Sequence, residues 1–206
     1  YLAFETGTLA IKDGIVIGIG DYSGKTMYDF SGLYIIPGLI DAHVHIESSL
    51  LTPREYARVV AIHGTTTVVA DPHEIANVAG AAGLEFMLAD REGAAIDIRY
   101  LLPSCVPATS TETGGAILDA AALRPFIGRE GILGLAEMMN VPGVLAGDPG
   151  VMEKLALSPI RDGHAPLLSG KDLNTYVLAG LQSDHECTTL AEAKEKLERG
   201  MYIFIR

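Results

Sequence analysis

The sequence predicts an α/β protein: a (β/α)8 barrel, with about seven of its strands present, preceded by a small β-domain. From Pro37 onward, short apolar strands alternate with amphipathic helices, and repeated strand–helix–strand connections require a parallel sheet. Seven candidate strands favour a barrel over a doubly wound sheet. A complete barrel needs ~250 residues, and 170 of the 206 residues follow Ile36, so we expect at least one strand and its helix to be missing.

The first 36 residues predict the N-terminal part of a small β-domain. Apolar residues alternate with their neighbours over 9–11 and again over 15–19, and Asp13-Gly14 between them is typical of a hairpin turn. Residues 22–25 predict a second turn, and 33–36 a further strand. We therefore place a domain boundary between residues 36 and 37, with the barrel over 37–206.

The barrel segment is predicted element by element. The expected strands cover residues 38–43, 66–70, 96–102, 132–136, 160–164, 180–184 and 202–205. Four helices are expected over 74–92, 116–126, 151–157 and 172–179. Two more begin at capping boxes: Thr52-Pro53-Arg54-Glu55 opens a helix that Gly64 ends, and Thr189 with Glu192 opens one that Gly200 ends.

Composition restricts the class of function. The net charge of −11 disfavours binding to polymeric nucleic acid, but it allows a small neutral substrate. No apolar run approaches the ~18–20 residues that span a bilayer, and two cysteines, Cys105 and Cys187, favour a reducing cytoplasm over a disulfide framework. The chain begins with Tyr1 and stops after an apolar run, so we expect a fragment.

Four of the six histidines fall at predicted strand ends. His43 and His45 close the first barrel strand on one face, and His164 and His185 close the fifth and sixth. Glu137 closes the fourth. A single histidine at a strand end is more often a hydrogen-bonded surface residue, but five such groups at one mouth of a barrel favour a divalent transition metal, or two metals that share the carboxylate.

Other polar residues at this mouth leave alternatives open. His73 and Glu74 follow the second strand, where they could contact substrate or a second metal, or serve only as a loop and helix cap. Glu47 and Ser48 are candidate substrate contacts because they lie beside the His-x-His pair. His63, before Gly64, is expected to be a cation at a helix C-terminus.

These motifs resemble a known family. Residues 37–45, Pro-Gly-Leu-Ile-Asp-Ala-His-Val-His, resemble the first-strand signature of the amidohydrolase superfamily. Several further blocks, in order along nearly the whole chain, are similar to those of adenine deaminases: residues 46–49, 69–78, 135–140, 162–166 and 183–187.

The resemblance implies a small β-sandwich and a distorted TIM-type barrel that holds iron, manganese or zinc. It implies that His43 and His45 bind one ion, that His164 and His185 bind a second, and that Glu137 bridges the two. The implied reaction is hydrolytic deamination of adenine to hypoxanthine and ammonia by metal-activated hydroxide, with a carboxylate carrying the proton.

Particular roles follow from that resemblance. We expect Glu137 and His185 to be catalytic, and the substrate contacts to be Glu47, Ser48, His73 and Glu74. A cytoplasmic homodimer active in purine salvage is expected.

In one respect the sequence departs from the superfamily. An aspartate at the end of the eighth strand is the usual ligand and acid/base, but no aspartate follows Asp184. The fragment alone is therefore expected to be inactive. Two alternatives stay open: another cyclic amidohydrolase that acts on a ring amide, and a non-catalytic protein that keeps the barrel as a scaffold.

Overall fold

The structure is a computed structural model, and it describes residues 4–109 and 111–205. Contacts between Cα atoms divide the chain into two compact units, Tyr1–Pro37 and Gly38–Arg206. Each unit is described by itself below.

The first unit contains the predicted hairpin. Strands β1 (Thr8–Lys12) and β2 (Ile15–Gly20) pair antiparallel. Asp13 and Gly14 between them both have positive φ, 52° and 77°, which is the conformation of the tight turn that matches strand twist. The further strand predicted over 33–36 is wrong. Those residues are exposed and, in the described chain, pair with no other strand, and apolar sequence without a hydrogen-bonding partner does not make a strand.

The second unit is built on seven parallel strands in chain order. A five-stranded sheet follows the order β3-β4-β5-β6-β7, and β8 pairs with β9 beside it. One backbone bond of 3.1 Å, from Gln182 N–H to the Arg161 carbonyl, joins β7 to the segment that leads into β8. The strands are Leu39–Val44, Thr65–Ala70, Asp97–Leu102, Ile132–Met138, Arg161–Gly163, Ser183–Asp184 and Tyr202–Ile203. The predicted fold class is confirmed: an α/β chain forming an incomplete TIM-type barrel.

Helices connect successive strands. They are α1 (Pro53–Ala61), α2 (His73–Asp90), α3 (Ala120–Leu123), α4 (Val141–Ala146), α5 (Pro149–Leu155), α6 (Gly170–Leu178) and α7 (Leu190–Glu198). Short 3-10 turns cover Ile46–Ser49 and Arg124–Phe126.

Three helix predictions need correction. The helix predicted from residue 116 starts only at Ala120, because the Asp119 side chain caps it by accepting from Ala122 N–H. Helix α4 was not predicted, since its six residues contain a proline and a glycine. The Thr52 capping box does not form: Thr52 lies at the N-cap of α1, but its side chain makes no capping bond. Thr189 does cap α7, accepting from Glu192 N–H.

The core lies between the sheet and these helices. Val68, Ile98 and Leu135 from three neighbouring strands are at most 1% exposed, as are Leu123 of α3 and Leu173 of α6. Burial of such side chains contributes roughly 1.5–3 kcal/mol each. Because the strands are parallel and held by this packing, their carboxyl ends lie together at one edge of the sheet.

Candidate metal centre

The carboxyl ends of four strands bring the five predicted ligands together. His43 lies within β3 and His45 just beyond it, Glu137 lies within β6, and His164 and His185 follow β7 and β8 directly. Glu137 and His185 are almost fully buried, while His43, His45 and His164 are partly accessible. The structure thus places all five side chains in one cluster, although they come from segments up to 142 positions apart (185 − 43).

The two histidines of the first strand have fixed outer partners. His43 Nδ1 lies 3.1 Å from Asp162 Oδ2, and His45 Nδ1 lies 2.9 Å from the Asp71 carbonyl oxygen. Carbonyl and carboxylate oxygens accept hydrogen bonds, so both Nδ1 atoms carry the proton. Both Nε2 atoms then present lone pairs, yet they face one another at 3.2 Å. Two lone pairs at this separation repel one another. A cation between them, such as a metal ion, would remove that repulsion.

Glu137 is the centre of the cluster. Its two carboxylate oxygens face different histidines: Oε1 lies 3.4 Å from His45 Nε2, while Oε2 lies 2.8 Å from His164 Nδ1 and 3.0 Å from His185 Nε2. Burial opposes its charge, but the hydrogen bonds from His164 and His185 outweigh burial and hold the pKa of Glu137 well below its usual value. The hydrogen bond to Glu137 likewise raises the pKa of His164. Glu137 is therefore an ionised carboxylate, with hydrogen-bond donors at Oε2 and the Nε2 atom of His45 facing Oε1.

His185 carries an unsatisfied polar atom. Its Nδ1 is buried and has no hydrogen-bond partner among the described residues, and its ring stacks on that of His43 at 3.7 Å between centroids. A buried imidazole nitrogen without a partner is costly. Coordination of an ion would supply what the protein atoms do not.

A fifth histidine, His73, flanks the cluster. His73, the first residue of α2, has Nδ1 2.9 Å from Asp71 Oδ2 and 3.4 Å from Glu137 Oε1. Burial lowers the pKa of His73, but the hydrogen bond and charge of Asp71, together with the charge of Glu137, raise it to about 9. His73 therefore begins helix α2, and its imidazole reaches the cluster. Contact with substrate or a second metal stays a prediction.

The remaining predicted residues lie at the rim. Ser48 donates to Glu74 Oε1 at 2.6 Å, and this pair is exposed. Glu47 Oε1 accepts from Ile75 N–H at 3.1 Å, while its Oε2 is buried and has no hydrogen-bond partner in the described part of the chain. Burial raises the pKa of this carboxyl group. His63 lies outside the site, exposed after the last turn of α1.

Sequence reasoning missed three residues that support the cluster. Asp162, 4% exposed, holds His43 and accepts from Gly163 N–H and Ser183 Oγ. Asp71 holds both His45 and His73. Tyr176 of α6 accepts from His164 N–H and donates to the Met138 carbonyl. Asp71 and Asp162 lie within the motifs from which the histidines were predicted. Their position at the same strand ends is the signal that could have identified them.

The donor set fits a transition metal. Three groups of ligand atoms each lie within 4.8 Å of one another: His43 with Asp162 and His185; Glu137 with His164 and His185; and a third group that consists of His45, Asp71, His73 and Glu137. Imidazole nitrogens with few carboxylates suit zinc, copper, iron or nickel better than calcium or magnesium. The outer hydrogen bonds to aspartate and carbonyl are those that orient metal-binding histidines.

The family assignment agrees with this geometry. Residues 34–204 match the amidohydrolase family. The chain belongs to the amidohydrolase family. Families of this type are generally metal-dependent, so the cluster of imidazoles around Glu137 is where a metal is expected in this amidohydrolase.

Three relatives that match nearly the whole of this chain are adenine deaminases. The amidohydrolase chain is 67% identical over 99% of its length to an adenine deaminase of Methanoregula boonei, and 64% identical over 95% to one of Methanoculleus marisnigri. It is 52% identical over 98% to adenine deaminase 2 of Carboxydothermus hydrogenoformans. It spans only 36–38% of the length of these relatives. Among the described residues, no helix has both the length and the apolar character needed to cross a membrane.

Proposed function

We propose that the complete protein hydrolyses adenine to hypoxanthine and ammonia, and that this chain supplies ligands for two divalent ions. The observation that carries the proposal is the arrangement around Glu137, whose two carboxylate oxygens face different histidines. The relatives' name, adenine deaminase, supports the substrate. The domain assignment, a β-sandwich portion over residues 1–36 and a barrel from 37, is part of the same proposal.

The ligands divide into two sets. His43 and His45 would hold one ion, His164 and His185 the other, and Glu137 would bridge them. Zinc, iron and manganese all accept these donors. When bound, a divalent ion lowers the pKa of water toward neutrality and so supplies hydroxide at physiological pH.

The chain's own residues would orient the reactants. In the reaction, a bond forms between the water oxygen and C6 of adenine, the C6–N bond breaks, and the amino group leaves as ammonia with a proton derived from the water. A carboxylate that accepts this proton and returns it to the amine fits general acid–base catalysis. Glu137 and His185 are the residues we assign to the reacting centre, because their side chains meet at 3.0 Å in its most buried part.

Substrate recognition would use the neighbouring polar groups. The unpartnered Oε2 of Glu47 can accept from an N–H of the purine, and His73 can donate to a ring nitrogen. Ser48 and Glu74 lie exposed, where they would contact the substrate as it enters. The free thiols of Cys105 and Cys187 support a cytoplasmic site of action in purine salvage.

The experiment measures metal and activity in the complete protein. Metal content is determined by mass spectrometry and ammonia release from adenine by a coupled assay, for the wild type and a His43→Ala/His45→Ala variant. Exposed His63→Ala is the matched control. We expect zinc, iron or manganese and adenine deamination in the wild type and control, and loss of both in the double variant.

Other results would redirect or end the proposal. Bound metal with no activity on adenine, but ammonia or ring opening from another purine or cyclic amide, would replace the substrate. A folded complete protein that binds no metal would contradict the catalytic function and favour a scaffold.

A further inference from the structure

A buried lysine lies just outside the histidine cluster. Lys196 of α7 is 0% exposed. Its ammonium group donates to the Ala165 carbonyl at 2.6 Å, to Asp184 Oδ2 at 2.8 Å and to Glu192 Oε1 at 2.8 Å. These three bonds use all three of its hydrogens.

The partners of Lys196 belong to two segments that carry candidate ligands. Ala165 directly follows His164, and Asp184 directly precedes His185. Ala165 N–H also donates to Asp184 Oδ1 at 2.8 Å. The lysine and the aspartate thus clamp the ends of β7 and β8 together, one residue away from each imidazole.

Charge makes this clamp dependent on the lysine. Asp184 and Glu192 are both largely buried, and their carboxylates approach the same ammonium group. Burial alone lowers the pKa of Lys196, but its hydrogen bonds to Asp184 and Glu192 outweigh burial and raise it. Removal of one partner from a buried charge network leaves the others uncompensated.

The acidic residues around Lys196 resemble a cation site, and the lysine ammonium group occupies it. Ligand atoms of Asp184, Cys187 and Glu192 lie within 4.8 Å of one another. The Lys196 ammonium lies 2.8 Å from both carboxylates. This cluster therefore needs no metal, and its role is to hold the backbone on either side.

We propose that Lys196 is a positioning residue that fixes His164 and His185 in the geometry required to bind the second ion. The inference rests on the proposed function, and it deepens it. Helix α7 contributes no candidate ligand. In this proposal its lysine sets the distance between two ligands that follow neighbouring strands. His43 and His45 have other orienting partners, Asp162 and the Asp71 carbonyl.

The test compares metal binding in the complete protein and its Lys196→Met variant. Loss of an outer partner typically lowers metal affinity about 10–100-fold. We expect a decrease of this size for one of two zinc or manganese ions, by titration calorimetry on metal-free protein, with affinity for the other ion within about threefold of the wild type. Saturating metal should restore adenine deamination by the variant.

A control on the same helix separates positioning from stability. Arg199 donates to Asn174 Oδ1 and pairs with Glu195, so Arg199→Met should lower the thermal midpoint of the metal-free protein without change in metal affinity. If Lys196→Met does not fold, Glu192→Gln is measured instead. It keeps the lysine and removes one of its anionic partners, and a smaller loss of affinity for one ion is expected.

Specific outcomes would overturn the inference. If Lys196→Met, or Glu192→Gln where it is the variant measured, binds both ions with wild-type affinity while its midpoint falls as in Arg199→Met, the lysine is structural only. Equal loss at both ions would also contradict it. A wild-type protein that binds no metal contradicts the proposed function, and this inference with it.

Discussion

A single aspartate shows how the site is controlled at the scale of residues. Asp162 comes from β7, yet its carboxylate fixes a histidine of β3 by a contact of 3.1 Å. Its carboxylate is itself oriented by the donors Gly163 N–H and Ser183 Oγ. The nitrogen of His43 that faces the cluster is therefore set by a residue 119 positions away (162 − 43).

Substitution of this aspartate tests the control. In Asp162→Asn the shape is kept, but an amide replaces the carboxylate acceptor, so the His43 ring is less firmly oriented. We expect affinity for the first ion to fall about 10–100-fold, measured by competition with a chelator. Asp119→Asn changes a helix cap far along the chain from the ligands and should leave the affinity unchanged. Equal affinities in the two variants would show that Asp162 does not act on the metal.

The candidate ligands could be anticipated at this scale, but the buried lysine near them could not. His43, His45, Glu137, His164 and His185 stand at strand ends in the sequence, and the fold brings their side chains together, while their function as ligands stays a proposal. Lys196 follows Glu192 at the spacing of an ordinary exposed ion pair. Nothing in that local pattern distinguishes a solvated lysine from a buried one.

At the scale of elements, the short strands β7 and β8 each lead directly into a candidate ligand, although they span only three and two residues. They approach closely at Gly163, where an added Cβ would lie 2.2 Å from the Ser183 carbonyl oxygen. Only a residue without a side chain allows this approach. The glycine thus sets the distance between the strands that precede His164 and His185.

Two glycine substitutions should have opposite effects. Gly163→Ala should destabilise the complete protein by about 1–3 kcal/mol, because the backbone of Ser183 must move. Gly150→Ala in α5 meets no backbone atom, and its nearest neighbour is Asp148 Oδ1 at 3.3 Å. This substitution should stabilise by about 0.4–1 kcal/mol, since it restricts the unfolded chain. Free energies of unfolding from urea titrations decide between them. A neutral Gly163→Ala would mean that the strands are not held at this distance.

At the scale of the whole molecule, metal binding and folding should be linked. The candidate ligands come from four strands, so an assembled site exists only in the folded chain. Removal of metal by a chelator should lower the thermal midpoint of the complete protein, and added zinc or manganese should restore it. At a free metal concentration 1,000 times Kd, the stabilisation is about 4 kcal/mol.

The double histidine variant provides the control for this linkage. His43→Ala/His45→Ala should show a much smaller response to chelator, because one of the two ligand sets is gone. His63→Ala should respond like the wild type. A midpoint that is insensitive to metal in every variant would contradict a metal centre built on these strands. Homodimeric assembly stays a prediction from the sequence.

The sequence by itself determined the order of strands and helices, the hairpin at Asp13-Gly14 and the strand ends that carry imidazoles, because periodicity and turn chemistry are local properties. The same local signals failed at residues 33–36, where an apolar run lacks a strand partner, and at the short helix α4. Tertiary structure alone decided which nitrogen of each histidine faces inward and which charged residues are buried. Those features depend on neighbours distant in sequence: a tautomer is set by the acceptor that folding brings to the other nitrogen, and the burial of Lys196 is set by the two strand ends it joins.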